Sequence, residues 1–556
     1  NIKLDYLKEP EYSTNRILST DYAGIRIYPD YTYLTNVTSE MREYIINELV
    51  PPALSFFKAA LKVVPLQGKI TIPSREVCDF PTPSIYFRTG VEADLIIFVR
   101  ATNSDENYIA AARPCSLLMT TNRPVIGELF YNVRAIQLGD PMEHQSHIAT
   151  TLHEMTHVLG FSSALYEYFI DPISGYPLSG HIKRRVIHGM NVYMLDLKPL
   201  TPRVRNHFGC NTVEGAYLED EGGAGSQGSH WERRLFYNEY MTSSDITDSR
   251  VTEFTLALLE GTGWYKVNYE VAEPFIWGKG KGCDFIYKDC INPLTKAPAF
   301  EEFCSPLASK GCTFSGRAQG YCGATRIITD PKLNPEIDYW NNQTVTFDPF
   351  ADNCPYVMDY ANADCENPAY SYIGKVSAEK FGKGSKCFTG NFLKSKPAKS
   401  TQPYCLKYSC TPKFPGEYEL KIEFDSNSVI CRSKGPTDVP GYAGQIDCPD
   451  PNHYCQTVGL KYCPRGCMGN GECTAEKTCK CYDKWYGDDC SMTSEKYTIN
   501  PDYGNDKTDT NFFPVLLGML IVGGLFFLMK NRFIQTHSLR NSEEDDVELR
   551  QYYRAQ

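Results

Sequence analysis

The chain has 556 residues, 42% of them hydrophobic and 22% charged, and a net charge of -11 at neutral pH. That length allows three or four domains with a large core, and acidic charge spread along the chain without a basic face excludes a nucleic-acid footprint. Twenty-two cysteines, nineteen of them between Cys283 and Cys490, exclude a reducing cytosol and divide a core-driven first half from a stapled second half.

In chain order, residues 24–34, GIRIYPDYTYL, alternate as a strand, and SEMREYIINELVPPALSFFKAALKVV has helical spacing interrupted by Pro51 and Pro52. ADLIIFVRAT from Ala93 predicts a buried strand, and GELFYNV from Gly127 another, at an edge. MEHQSHIATTLHEMTHVLG then turns helical. On it Ile148, Leu152, Met155 and Leu159 recur at intervals that pack them onto the sheet, while His153 and His157 project together from a neighbouring face. Gly160 is suited to end this helix in a left-handed cap and turn the chain sharply. Strand, helix, strands and a helix carrying histidines make an α+β pattern.

Zinc hydrolysis needs three protein ligands and an open position for water. Two imidazoles one helical turn apart supply two ligands, and Glu154 lies too far round the helix to ligate with them yet near enough to take a proton from the water. Gly160 falls where the longer HExxHxxGxxH pattern of metzincins has its turn, but Ser163 stands where that pattern has its third histidine. Either the site is dead or an insertion postpones the third ligand. His144 and His147 are too far along the same helix to complete one tetrahedron. His181, His188 and His207 sit in charged or loop-like surroundings. His230 follows a glycine-rich stretch, and Met241 comes eleven residues after it, as a Met-turn would.

Two acceptor sequons, NVT at Asn36 and NQT at Asn342, predict glycosylation on the extracellular side. From Cys463 to Cys490, CPRGCMGNGECTAEKTCKCYDKWYGDDC resembles an EGF-like module, and the resemblance implies the pairs Cys463 with Cys473, Cys467 with Cys479, and Cys481 with Cys490. A polar, Asp-rich stalk follows over 492–511. Residues 512–529, FFPVLLGMLIVGGLFFLM, form an uncharged apolar run close to the minimum for a transmembrane helix, and Lys530 and Arg532 beyond it place the tail 530–556 in the cytosol. With Asn1 at the start and no apolar leader, a signal peptide has been removed. These features predict a single-pass type I protein of the plasma membrane with its ectodomain outside.

HEMTHVLGFS, LEDEGGAGSQGSHWERRLFYNEYM and GCDFIYKDC together resemble leishmanolysin, a family of surface zinc metalloproteases within the metzincins, over a span from about Tyr22 to Cys455. The resemblance implies zinc ligands His153, His157 and His230, Glu154 as general base and acid, and Met241 beneath the metal. It also implies an N-terminal catalytic subdomain over 1–162 and an inserted central subdomain over 163–265 that carries the third ligand and the Met-turn. A cysteine-rich C-terminal subdomain over 266–455 and the EGF-like module over 456–491 complete the ectodomain, with Cys210 paired structurally. The function implied is a cell-surface zinc endopeptidase acting on proteins or peptides. The alternative is an adhesion or surface-complex protein on the same scaffold, with surface protein partners and little catalysis. In a third reading the zinc is structural, closed by His207 or Cys210 as a fourth ligand.

Overall fold

The computed structural model describes residues 4–7, 21–106, 108–139, 141–187, 189–243, 248–305, 309–323, 339 and 348–494. His188, the Asn342 sequon, the apolar run 512–529 expected to span a membrane, the tail and nearly all of the stalk lie outside the described residues. Among the described residues no helix is long and apolar enough to cross a membrane.

The architecture is mixed α and β, stapled by disulfides. Its N-terminal part is built on a five-stranded sheet in the order Asp5–Leu7, Ala110–Leu118, Pro124–Asn132, Leu95–Thr102, Ile27–Asp30. All neighbours run parallel except Ala110–Leu118 against Pro124–Asn132. The strand Leu95–Thr102 is buried on both faces, as its unbroken apolar run requires. Leu95, Ile97 and Val99 enter the main core, and Ile96 and Phe98 a second cluster on the other face with Tyr86 and Val125.

Three local readings differ from the sequence expectation. The strand Pro124–Asn132, expected at an edge, lies in the middle of the sheet. Pro51 and Pro52 do not interrupt their helix. A short helix Ser39–Tyr44 passes through a π turn, Ile45–Leu49, into the helix Val50–Ala60, whose first turn takes both prolines where a missing N–H costs nothing. The strand Ala110–Leu118 was not expected, because Pro114 sits inside it. It is accommodated at a register shift between Pro114 and Ser116.

The histidine-bearing helix, Pro141–Leu159, lies on this sheet. Its Ile148, Leu152, Met155 and Leu159 are fully or almost fully buried. It comes unusually close at Gly127, where an added Cβ would stand 2.4 Å from Cγ1 of Val158.

One apolar core runs from Ile25 through Leu159 and Ile291 to Tyr356 and takes in Met468, crossing residues 162 and 265, whereas residues 378–455 enclose a core of their own. The latter is filled by a six-stranded antiparallel sheet, whose longest strands are Gln402–Phe414 and Glu417–Phe424. All cysteines are paired. Cys210 bonds Cys283, and the last six pair as Cys463 with Cys473, Cys467 with Cys479, and Cys481 with Cys490.

This last region is seated against the rest. Cβ atoms added at Gly469 and Gly466 would come within 2.7 Å of Ala59 and Val271, and Arg465 donates to Gln145 on the histidine helix at 2.8 Å.

Candidate metal centre

The helix Pro141–Leu159 positions the first two imidazoles. His153 and His157 are one turn apart, and their Nε2 atoms lie 3.0 Å from one another. The third comes from far along the chain: Nε2 of His230 is 3.0 Å from Nε2 of His153. All three rings are buried.

Each outer nitrogen has a fixed partner. Nδ1 of His153 lies 2.7 Å from the carbonyl of Tyr240, Nδ1 of His157 2.6 Å from that of Phe161, and Nδ1 of His230 3.0 Å from that of Ser226. A carbonyl oxygen only accepts, so every Nδ1 carries the proton and donates it. The three Nε2 atoms then turn bare lone pairs toward one point, which is repulsive unless a cation stands there. Imidazole nitrogens at tetrahedral corners about 2.0–2.1 Å from zinc would be about 3.3 Å apart, close to the observed edges. The donor set and its tautomers therefore fit zinc, with the outer hydrogen bonds that orient metal-ligating histidines.

The protein environment favours neutral rings. Burial lowers His153 to about 3 and His157 to about 4, and burial with the two neighbouring rings holds His230 well below the usual range. Glu154, between the ligands in sequence, is almost wholly buried. Burial raises its carboxyl well above the ordinary range, opposed by a hydrogen bond with the Ala112 backbone. Glu154 and His157 line a cleft of about 390 Å³ together with Tyr108, Phe130, Gly222 and Phe350.

The third imidazole is delivered by a folded loop. Glu219 N–H donates to the His230 carbonyl at 2.9 Å, and Gly228 N–H returns to the Glu219 carbonyl at 2.8 Å. Gly228 has φ 75°, a conformation that favours glycine, and its carbonyl accepts from the Tyr166 hydroxyl. Ser163, at the expected histidine position, receives that loop: its N–H donates to Oγ of Ser229 at 3.1 Å.

Met241 is fully buried, and its carbonyl accepts from Trp231 N–H at 2.9 Å, next to His230. Gly160 closes the helix without a left-handed conformation, since it is absent from the positive-φ residues. Packing accounts for a glycine there: a Cβ would meet Cγ2 of Thr262 at 3.0 Å and Cδ2 of Leu259 at 3.3 Å.

The other candidates are elsewhere. Nδ1 of His144 and of His147 each lie 3.0 Å from the Tyr44 hydroxyl, and Nε2 of His181 faces the Tyr166 carbonyl. Neither suggested fourth ligand joins the cluster. Nε2 of His207 donates to the Trp277 carbonyl at 2.8 Å, and Cys210 is consumed in its disulfide. Asn36 is exposed, and Thr38 of its sequon caps the helix Ser39–Tyr44.

Sequence reasoning missed Glu239, a buried carboxylate that accepts from Met241 N–H at 2.6 Å and from the hydroxyls of Thr252 and Thr255. A charged side chain two residues before the Met-turn was the available signal. The three carbonyl partners had none, because main-chain acceptors leave no mark on residue type.

A sequence profile described as leishmanolysin matches residues 34–461. The chain is 28% identical over 454 residues to a leishmanolysin-like peptidase of Drosophila melanogaster, covering 68% of this chain and 65% of that protein. It is 27% identical over 405 residues to leishmanolysin of Leishmania major, covering 70% of this chain and 64% of that one. With a leishmanolysin-like peptidase of Caenorhabditis briggsae it shares 24% over 566 residues, 79% of this chain and 84% of the relative. The chain thus spans slightly less than two thirds of the length of the fly and Leishmania proteins.

Proposed function

The chain belongs to the leishmanolysin family of zinc metallopeptidases, and from that premise we propose that it is a zinc-dependent endopeptidase with a metzincin-type site, cutting proteins or peptides. The observation that carries this is the convergence of three Nε2 lone pairs, each fixed by an Nδ1 hydrogen bond to a carbonyl.

His153, His157 and His230 would hold the zinc. When bound, it supplies Lewis acidity to a water and to the scissile carbonyl. Glu154 takes the proton from that water and passes it to the departing amine. Its burial suits the first step, because holding the carboxyl above its ordinary range strengthens it as a proton acceptor. Tyr240, Phe161 and Ser226 keep the ligand tautomers fixed. Met241, buried and bonded through its carbonyl to Trp231 beside His230, would take the Met-turn position that the family implies. The aromatic walls of the cleft favour an extended peptide with apolar side chains beside the metal.

The division at residues 162, 265 and 455, the EGF-like module, the membrane helix at 512–529 and the placement of the ectodomain outside a type I plasma-membrane protein belong to the same reading. The cysteine pairing supports the module and the apolar run supports the helix, whereas the boundaries at 162 and 265 lie within one continuous core and rest on the family resemblance alone.

The test is metal content with cleavage-site profiling of the full chain. One zinc per chain and cleavage of a peptide library, abolished in Glu154→Ala, are expected. Stoichiometric zinc with no cleavage and no difference from the variant would leave the adhesion reading in its place.

A further inference from the structure

Behind the loop that delivers His230 lies a second cluster. Glu219, Asp220 and Glu232 each offer a carboxylate oxygen, and these oxygens lie within 4.8 Å of one another. Glu219 and Glu232 are 1% and 4% exposed.

Three such carboxylates repel one another and have lost water, so each calls for a cation or a proton. The protein supplies little. Oε1 of Glu219 takes Glu221 N–H and Glu232 takes Arg234 N–H, but Oε2 of Glu219 and Oδ1 of Asp220 are buried with no hydrogen-bond partner. Among the described residues no salt bridge reaches any of the three. Arg233, whose charge acts on Glu219, is bonded instead to Asp348 at 3.1 Å.

A second element closes on the same place. Asp352 acts electrostatically on Glu219, Asp220 and Glu232, and the next residue, Asn353, has a buried Oδ1 without a partner. Asp352 and Asn353 both have positive φ, 52° and 55°, a conformation that carboxamide and carboxylate residues tolerate best among non-glycines.

We infer that Glu219, Asp220 and Glu232, with the turn Asp352–Asn353, form a calcium site that fastens the loop carrying His230. The donors are all oxygen, which selects a hard cation. Calcium takes oxygens at about 2.3–2.6 Å, so oxygens within 4.8 Å of one another can share one ion, and calcium accepts irregular shells that magnesium does not. Glu219 and Glu232 flank the loop on both sides, and the Glu219 main chain bonds His230 directly. A cation joining them would hold the loop closed on the zinc side without touching that centre.

Full-length, zinc-loaded protein in calcium-depleted buffer, titrated with calcium chloride by calorimetry and followed by thermal unfolding, tests this independently of catalysis. One calcium per chain and a raised unfolding midpoint are expected, with affinity falling about tenfold or more in Asp220→Asn and in Glu219→Gln, since affinity follows ligand charge. Asp220 is the less buried, so its variant serves if Glu219→Gln does not fold. Calcium bound equally well by Asp220→Asn would place the ion elsewhere and overturn the assignment. Magnesium taken up in preference to calcium would overturn it too. No binding by the wild type, with a midpoint that rises on acidification, would mean that protons hold the cluster.

Discussion

Gly127 sets the height of the histidine helix above the sheet, and Gly127→Ala should raise it. The added methyl would sit 2.4 Å from Cγ1 and 3.0 Å from Cγ2 of Val158, and 3.1 Å from the carbonyl of Arg113 on the paired strand. Carbon atoms pack best at about 3.5–4.0 Å, so the helix must retreat by about 1 Å. Val158 cannot rotate away easily, because a β-branched side chain in a helix has one favoured rotamer. Overpacking of this kind costs about 1–3 kcal/mol. A reactive group misplaced by about 1 Å costs about a hundredfold in rate. Gly127→Ala should therefore lower kcat far more than stability alone explains, with weaker zinc retention, because His157 is the residue before Val158. Val158→Ala in the same chain removes both offending methyls and should restore much of the activity, a coupling expected only between touching residues. Denaturant unfolding, zinc release and peptide turnover of the single and double variants form the assay. Full activity in Gly127→Ala, or strictly additive losses in the double variant, would refute the reasoning.

Replacing Glu154 by Gln should cut turnover by about 10²- to 10⁴-fold while zinc content stays at one per chain, checked by metal analysis and kinetics side by side. Stripping zinc, or making His230→Ala, should lower the unfolding midpoint, and re-adding zinc should restore it only in the wild type. His207 is lowered to about 4 by burial, outweighing the Trp277 carbonyl bond that raises it. Its folded pKa is below the unfolded value near 6.5, so its stabilisation is complete above that pH and is lost as pH falls toward 4. Between pH 7 and pH 5 this amounts to about 2 kcal/mol, and His207→Gln should unfold with a shallower acid dependence than the wild type.

The paired imidazoles and Glu154 were legible because helical spacing is local: four residues bring His157 under His153 whatever the rest of the chain does. His230 needed the family resemblance, since nothing in its spacing tells how a loop of more than seventy residues folds back. What the sequence hid follows from backbone geometry. Gly160 was expected to relieve a left-handed turn, but it makes room for Thr262 and Leu259, and these two uses of glycine read alike. Pro51 and Pro52 looked disruptive because their effect depends on position within the helix. The strand Ala110–Leu118, with Pro114 in its middle, lacked the pattern of a strand, although it lies beside Glu154. Glu239 carried no mark in the sequence beyond its charge; only its burial against Thr252 and Thr255 distinguishes it.

The seating of the last cysteine-rich region has a mechanical consequence. Gly466 and Gly469 lie where any side chain would strike Val271 and Ala59, and Gln145 is gripped by both Arg465 and Ser491. No joint is left there to swivel. Through Gln145, eight positions ahead of His153, the region is tied to the histidine helix, so the two share one footing and the region is not a loose pendant.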